Sequence, residues 1–184
     1  MKLFILIIFS NIFFENNMST QIQNEQKNLE DNQKNQTQIL TKDQIEKLTQ
    51  KEIQAFTPSQ ISWLSYKIKY LTEKQISWLN RKQINAITKE QIPYLNEDQI
   101  KALTPNQISW LDEKIKHLTA DQIPYLNEDQ IKALTAYQIF WLDDKIKHLT
   151  ATQIPWLNEK QIESITKNQI PYLNEDQIKA LTAD

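Results

Sequence analysis

The side chains that could do chemistry fall into three sets. His117 and His148 are the chain's two histidines. Imidazoles can bind metals or move protons near neutral pH. The pair lies 31 residues apart, at the same place in two copies of a repeat. With roughly 8–10 Å between packed helices and two unit pairs from one to the other, they are expected to stand too far apart to share a metal. Neither has a Ser or Cys beside it in a nucleophile pattern. Carboxylates cluster at Glu97-Asp98, Asp112-Glu113, Glu128-Asp129, Asp143-Asp144, Glu159 and Glu175-Asp176. Paired carboxylates suit acid–base catalysis, but these sit where first helical turns favour negative charge. Lysine follows four residues later in Glu97/Lys101, Asp112/Lys116, Glu128/Lys132, Asp143/Lys147 and Glu175/Lys179, the favourable order for helical ion pairs. Aromatics form the third set: Trp63, Trp78, Tyr94, Trp110, Tyr125, Trp141, Trp156 and Tyr172. Opposite them the matching place holds Ala86, Ala102, Ala133, Ser164 or Ala180, with Tyr70, His117 and His148 elsewhere. Large against small is one way to fill a core. The alternative is a partner-binding stripe along one face.

Composition removes most other chemistry. Of 184 residues none is glycine and none is cysteine, where about 13 glycines would be ordinary. Phosphate-cradling glycine loops, disulfide frameworks and thiolate metal sites are therefore excluded. With 21 basic and 23 acidic residues, and Arg81 the lone arginine, no nucleic-acid groove is expected. No catalytic residue, cofactor or metal is expected either. An enzyme is a remote alternative, because a regular array offers only copies of one environment.

The elements that position these side chains are repeats. Isoleucine recurs from Ile45 to Ile178 in steps of eight, interrupted by steps of seven that end at Ile68, Ile115 and Ile146. Three residues after each Ile comes another apolar side chain. The unit reads cap-x-x-Gln-Ile-x-x-Leu. Thr opens alternate units (Thr41, Thr57, Thr72 and onward), and the units between open with Thr49, Ser65, Asn80, Asn96, Asp112 and their kin. Such side chains cap helix starts, and Thr-x-x-Gln is a capping box. Each unit encodes a helix too short to persist alone, so it must pack on its neighbours in a solenoid. The expected fold is all-α: a right- or left-handed α-solenoid of short capped helices, with 8-residue units paired into 15–16-residue repeats and a 31-residue super-repeat. A rival is a stack of 31-residue helical hairpins, against which the missing turn glycines argue.

Proline refines this plan. Pro58 and Pro105 follow a Thr cap, the favoured first helical position. Pro93, Pro124, Pro155 and Pro171 follow the Ile, where a kink or 3₁₀ turn is expected. The seven-residue steps lack that proline and carry Lys67, Lys114 or Lys145 in place of Gln. They are expected to fuse each unit pair into one helix of about four turns.

The octad Leu-Thr-x-x-Gln-Ile-x-x, as in Thr119-Ala-Asp-Gln-Ile-Pro-Tyr-Leu followed by Asn127-Glu-Asp-Gln-Ile-Lys-Ala-Leu, resembles short-helix repeat arrays encoded by a range of bacteria. The resemblance covers about residues 41–184. It implies a helical solenoid and transfers no catalytic residue.

Ahead of the repeats, Lys2 and the apolar run from Leu3 to Phe9, resumed at Ile12-Phe13-Phe14, have the shape of a secretory signal. The run is too short to span a membrane. Residues 1–17 are assigned to this segment, 18–40 to a flexible Asn/Gln-rich tether, and 41–184 to the repeat domain. The expected location is secreted, cell-surface or periplasmic, or cytoplasmic if translation starts at Met18. The expected function is a non-enzymatic scaffold or surface module for a protein or peptide partner. Self-association is the alternative, by stacking of the last unit, which ends in another cap at Thr182-Ala183-Asp184 without a polar terminal repeat. The first pair, with Lys47 where the aromatic would stand, is expected to cap the other end.

Overall fold

The computed structural model describes the backbone of residues 2–181 and the side chains of residues 21–181. The side chains of residues 1–20, which include the segment expected to direct export, and Thr182, Ala183 and Asp184 lie outside the described residues. Two compact units divide at residue 40.

The first unit differs from the expected tether. Lys2–Ile39 is one 38-residue helix. It contains neither proline nor glycine, and from residue 21 it is rich in Gln, Glu and Lys, which lose little in a helix. Residues 21–32 are exposed on every side. Propensity shapes this segment; an apolar stripe does not. Among the described residues no helix is long and apolar enough to cross a membrane.

The second unit is an all-α repeat of short helices, with no strand among the described residues. Capping boxes start the helices as their spacing predicts. Thr41, Thr57, Thr72, Thr104 and Thr135 accept from the Gln backbone N–H three residues on, while that Gln's side chain accepts the cap's own N–H. Asn80, Asn96, Asn127 and Asn158 do the same in the alternate units. Pro58 and Pro105 occupy the first turn. The four prolines after Ile lie in 3₁₀ turns: Ile92–Tyr94, Ile123–Tyr125, Ile154–Trp156 and Ile170–Tyr172. There the missing N–H costs no α-helical bond.

Four units, rather than two, complete one coil of the solenoid. Coils begin at Thr41, Thr72, Thr104, Thr135 and Thr166. The decisive contacts are made by glutamine. Gln75 Nε2 reaches back 30 residues to the Ile45 carbonyl at 2.8 Å and to that of Leu48 at 2.9 Å. Gln83 reaches Ile53 and Phe56 at 2.7 and 2.9 Å. Gln107 reaches Ile76 and Leu79, Gln130 reaches Ile100 and Leu103, and Gln161 reaches Ile131 and Leu134. These carbonyls belong to helix C-termini, which have no partner within their own helix. One buried Gln amide thus caps the start of its own helix and the end of the helix one coil below. Isoleucines stack into four columns that begin at Ile45, Ile53, Ile61 and Ile68, and together with Leu they form a core that is almost wholly buried.

The seven-residue steps do not fuse unit pairs into long helices. Pro58–Trp63 is α-helical, and a 3₁₀ helix over Ser65–Tyr70 follows. The same break occurs at Asp112 and Asp143. Ser65, Asp112 and Asp143 have φ of 50°, 53° and 48°, the left-handed region. An ordinary junction uses two extended residues, as at Leu103 (φ −58°, ψ 125°) and Thr104 (φ −68°, ψ 158°). In the short junction the Leu stays helical, as at Leu111 (φ −62°, ψ −23°), and one left-handed residue turns the chain. The tighter turn accounts for the missing residue. Asp and Ser tolerate this region better than branched residues do. Asp112→Gly is therefore expected to raise stability by up to about 1 kcal/mol and Asp112→Val to lower it by about 1–3 kcal/mol, as read from urea midpoints.

Lysine at these short steps follows from the same geometry. Without a capping box, no side-chain acceptor is needed. Lys114 Nζ donates to the Asn85 carbonyl at 2.6 Å, and Lys145 Nζ to those of Lys116 and Leu118 at 2.5 and 2.8 Å. A long cationic stem performs the inter-coil half of the glutamine's task. Burial pushes the Lys114 ammonium pKa below its usual range, against the pull of Asp112 and Glu113.

Candidate functional site

The eight aromatics do not fill the core. Trp63, Trp78, Trp110, Tyr125, Trp141 and Trp156 are half-buried, and Tyr94 and Tyr172 are exposed. Helix geometry gives the reason. A residue two after the core Ile points about 200° away from it, so it cannot share that stripe. Nor do the eight make a single stripe. The Gln contacts stack Trp78, Trp110, Trp141 and Tyr172 over the Ile45 column. They place Trp63, Tyr94, Tyr125 and Trp156 on the Ile61 column. These are two rows, separated by one column in either direction around the coil. Lysines lie over several rings: Lys74 over Trp78, Lys101 over Tyr125 and Lys147 over Tyr172, at 5.6–5.8 Å, a favourable cation–π distance.

One place in the first row departs from the repeat. The residue after the core Ile in the Thr-opened units is Glu46, Ser62, Ser77, Pro93, Ser109, Pro124, Pro155 or Pro171, but Phe140 in the fourth coil. The residue before the Gln is polar in the other Thr-opened units, as in Ser59, Lys74 and Asn106, but Tyr137 here. Tyr137 is 73% exposed and Phe140 52% exposed. Tyr137 and Trp141 rings lie 6.1 Å apart at 33°. Tyr137 is legible as solvent-facing from its place beside the cap. Phe140 carries the same kind of signal, a break in a position otherwise held by Glu, Ser or Pro, and reading the octad as a consensus hides it.

No family model matches this chain, and no curated protein and no solved structure matches it. The site must be judged on its own geometry.

The ion pairs hold to sequence spacing only in part. Lys101 pairs with Glu97, Lys132 with Glu128, and Lys179 with Glu175. In the third and fourth coils the lysine takes the neighbouring carboxylate instead: Lys116 meets Glu113 at 3.6 Å and Lys147 meets Asp144 at 3.0 Å. Asp112 and Asp143 sit at the left-handed turn and lie off the helical face that the expected pairs require. The Lys147 hydrogen bond holds Asp144 below the usual carboxylate range. Among the described residues no three His, Asp or Glu side chains converge as a metal site.

His117 stands half-buried on the Ile53 column. Burial pushes its pKa down, and Lys116, Lys145 and Lys89 push the same way, against Glu90. A lowered folded-state pKa means that the unfolded chain takes up its proton first as pH falls. Stability from this group is complete above the ordinary histidine value of about 6.5 and is lost as pH falls below it. His117→Gln is expected to flatten the decline in Tm between about pH 7 and pH 5, in a melting series that compares the two proteins.

Proposed function

We propose that the repeat domain is a non-enzymatic, exported interaction scaffold that presents one of two long aromatic rows to a protein or peptide partner. One observation carries the reading: two rows of half-exposed aromatics run up a frame whose buried polar side chains are satisfied internally. A frame of that kind holds surface side chains at fixed spacing and leaves the positions beside each cap free to vary. Lys89, Glu90, Pro105, Asn106 and Tyr137 are all exposed. The resemblance to bacterial octad arrays belongs to the same proposal. Photo-crosslinkers placed at Ser77 and Ser109, beside one row, and at Ser62, beside the other, test it in the native host. A partner crosslinked from one row and not the other supports the scaffold, and the absence of any row-specific partner opposes it. Mass spectrometry of the native N-terminus tests export.

A further inference from the structure

We infer that the fourth coil carries a saccharide-binding cleft built on Tyr137, Phe140 and Trp141 and rimmed by Asp143, Thr166 and Asn168. The inference does not depend on the scaffold reading.

Two hollows adjoin at Phe140 and Trp141. One, of about 470 Å³, is walled by Tyr137 and the small Ala136 and Ser164. The other, of about 440 Å³, is bounded by Asp143, Thr166 and Asn168. Both volumes fall in the range of small-ligand sites, about 300–1,000 Å³. The repeat does not require an aromatic at Tyr137 or Phe140. Sister units place polar residues, Ser or Pro there, and Ser109 and Ser77 simply bond back to their own helices. Two large exposed rings that join a half-buried Trp form an apolar patch, and such patches mark binding surfaces.

The rim decides what binds. Most of its charged side chains are already engaged inside the protein. Lys145 donates to the Lys116 and Leu118 carbonyls, Lys116 meets Glu113 and Asp144 meets Lys147, which leaves the Asp143 carboxylate as an acceptor on the rim. A polyanion such as nucleic acid meets that carboxylate with repulsion, and a cationic peptide is the competitor that the test includes. A peptide strand would need an open row of backbone groups. Here the Ile108 and Asp112 carbonyls accept from Gln138, and those of Ile139 and Asp143 accept from Gln169. What the cleft offers is aromatic faces beside a carboxylate, an amide and a hydroxyl. A neutral pyranose has the matching structure: an apolar C–H face that stacks on rings, and a rim of hydroxyls that both donate and accept hydrogen bonds.

The test titrates the full chain with cellohexaose, N-acetylchitohexaose and maltohexaose by calorimetry and ligand-observed NMR, with an amphipathic Leu/Lys peptide in parallel. The combined variant Tyr137→Asn, Phe140→Ser restores residues found at the sister positions, so it keeps the fold; circular dichroism verifies this. Tyr66→Ser removes an exposed ring elsewhere. Saturable binding of at least one saccharide, weakened about tenfold or more in the double variant and unchanged by Tyr66→Ser, supports the cleft. The inference is overturned if all three saccharides fail to titrate, if the double variant binds as the parent does, or if only the peptide binds at these rings.

Discussion

Gln130→Glu should lower the stability of the repeat domain by about 3–5 kcal/mol, whereas Gln44→Glu should cost less than about 1 kcal/mol. Both glutamines sit three residues after a cap and accept the cap's backbone N–H. Glutamate can do that as well; Glu52 already does so for Thr49 at 2.8 Å. The second task separates the two sites. Gln130 is fully buried, and its amide donates to the Ile100 and Leu103 carbonyls at 2.7 and 2.6 Å. A carboxylate there has no proton to give and faces two carbonyl oxygens across a dry interface. Gln44 is exposed in the first coil. Urea unfolding followed by helical ellipticity reads the difference. With a slope of about 2 kcal/mol/M, the Gln130 variant's midpoint falls by about 1.5–2.5 M. The deficit should shrink in acid, because a protonated Glu regains one donor and burial raises the pH at which it does so. Equal losses at the two sites would mean that the cap, and not the bond between coils, is what glutamine contributes.

That contrast also marks how far the sequence is legible. Thr41 and Asn80 announce helix starts, because capping is a local hydrogen bond between residues three apart. Pro93 announces a 3₁₀ turn for an equally local reason. The 31-residue super-repeat is visible too, but its meaning is not. Whether Ile45 packs beneath Ile61 or Ile76 depends on how far each junction turns the chain. The evidence for the latter lies in the Gln75 amide, whose partner is 30 residues distant. Lys in place of Gln at the short steps is a hint of this second role, since a pure capping residue would have no reason to become a lysine. The break at Ser65 escapes because seven-residue spacing suits a continuous helix equally well; only the left-handed φ separates the two. The aromatic rows were legible as a pattern but not as two faces, because the column assignment was missing. Residues 18–40 mislead in another way. Their composition rightly shows that they bury little, but a chain of Gln, Glu, Lys and Asn without Pro or Gly can still coil.

Ile131→Ala should cost about 2–5 kcal/mol, the range for deleting buried aliphatic atoms and leaving a cavity. Ile170→Ala should cost less than about 1 kcal/mol, because that side chain is already 45% exposed. Ile131 is fully buried in a middle coil, and its carbonyl is held by Gln161 from the coil above. Its own backbone N–H closes the turn begun by Asn127 at 2.9 Å. A cavity there loosens packing on both sides of the coil. In a solenoid, stability is a sum of unit terms and nearest-neighbour interfaces, so a weak middle coil separates the array into segments that melt on their own. The Ile131 variant should therefore show a shallower urea transition as well as a lower midpoint, with the two arms no longer unfolding together. Ile170 lies in the last coil described, so its loss should shift the midpoint slightly and leave the slope intact. Hydrogen exchange resolves the outcome directly: in Ile131→Ala, amide protection should fall most in the third coil and at its contacts with the second and fourth, and persist in the first. A uniform loss of protection from residue 41 to residue 181 would instead mean that the coils unfold as one body, and the nearest-neighbour account would fail.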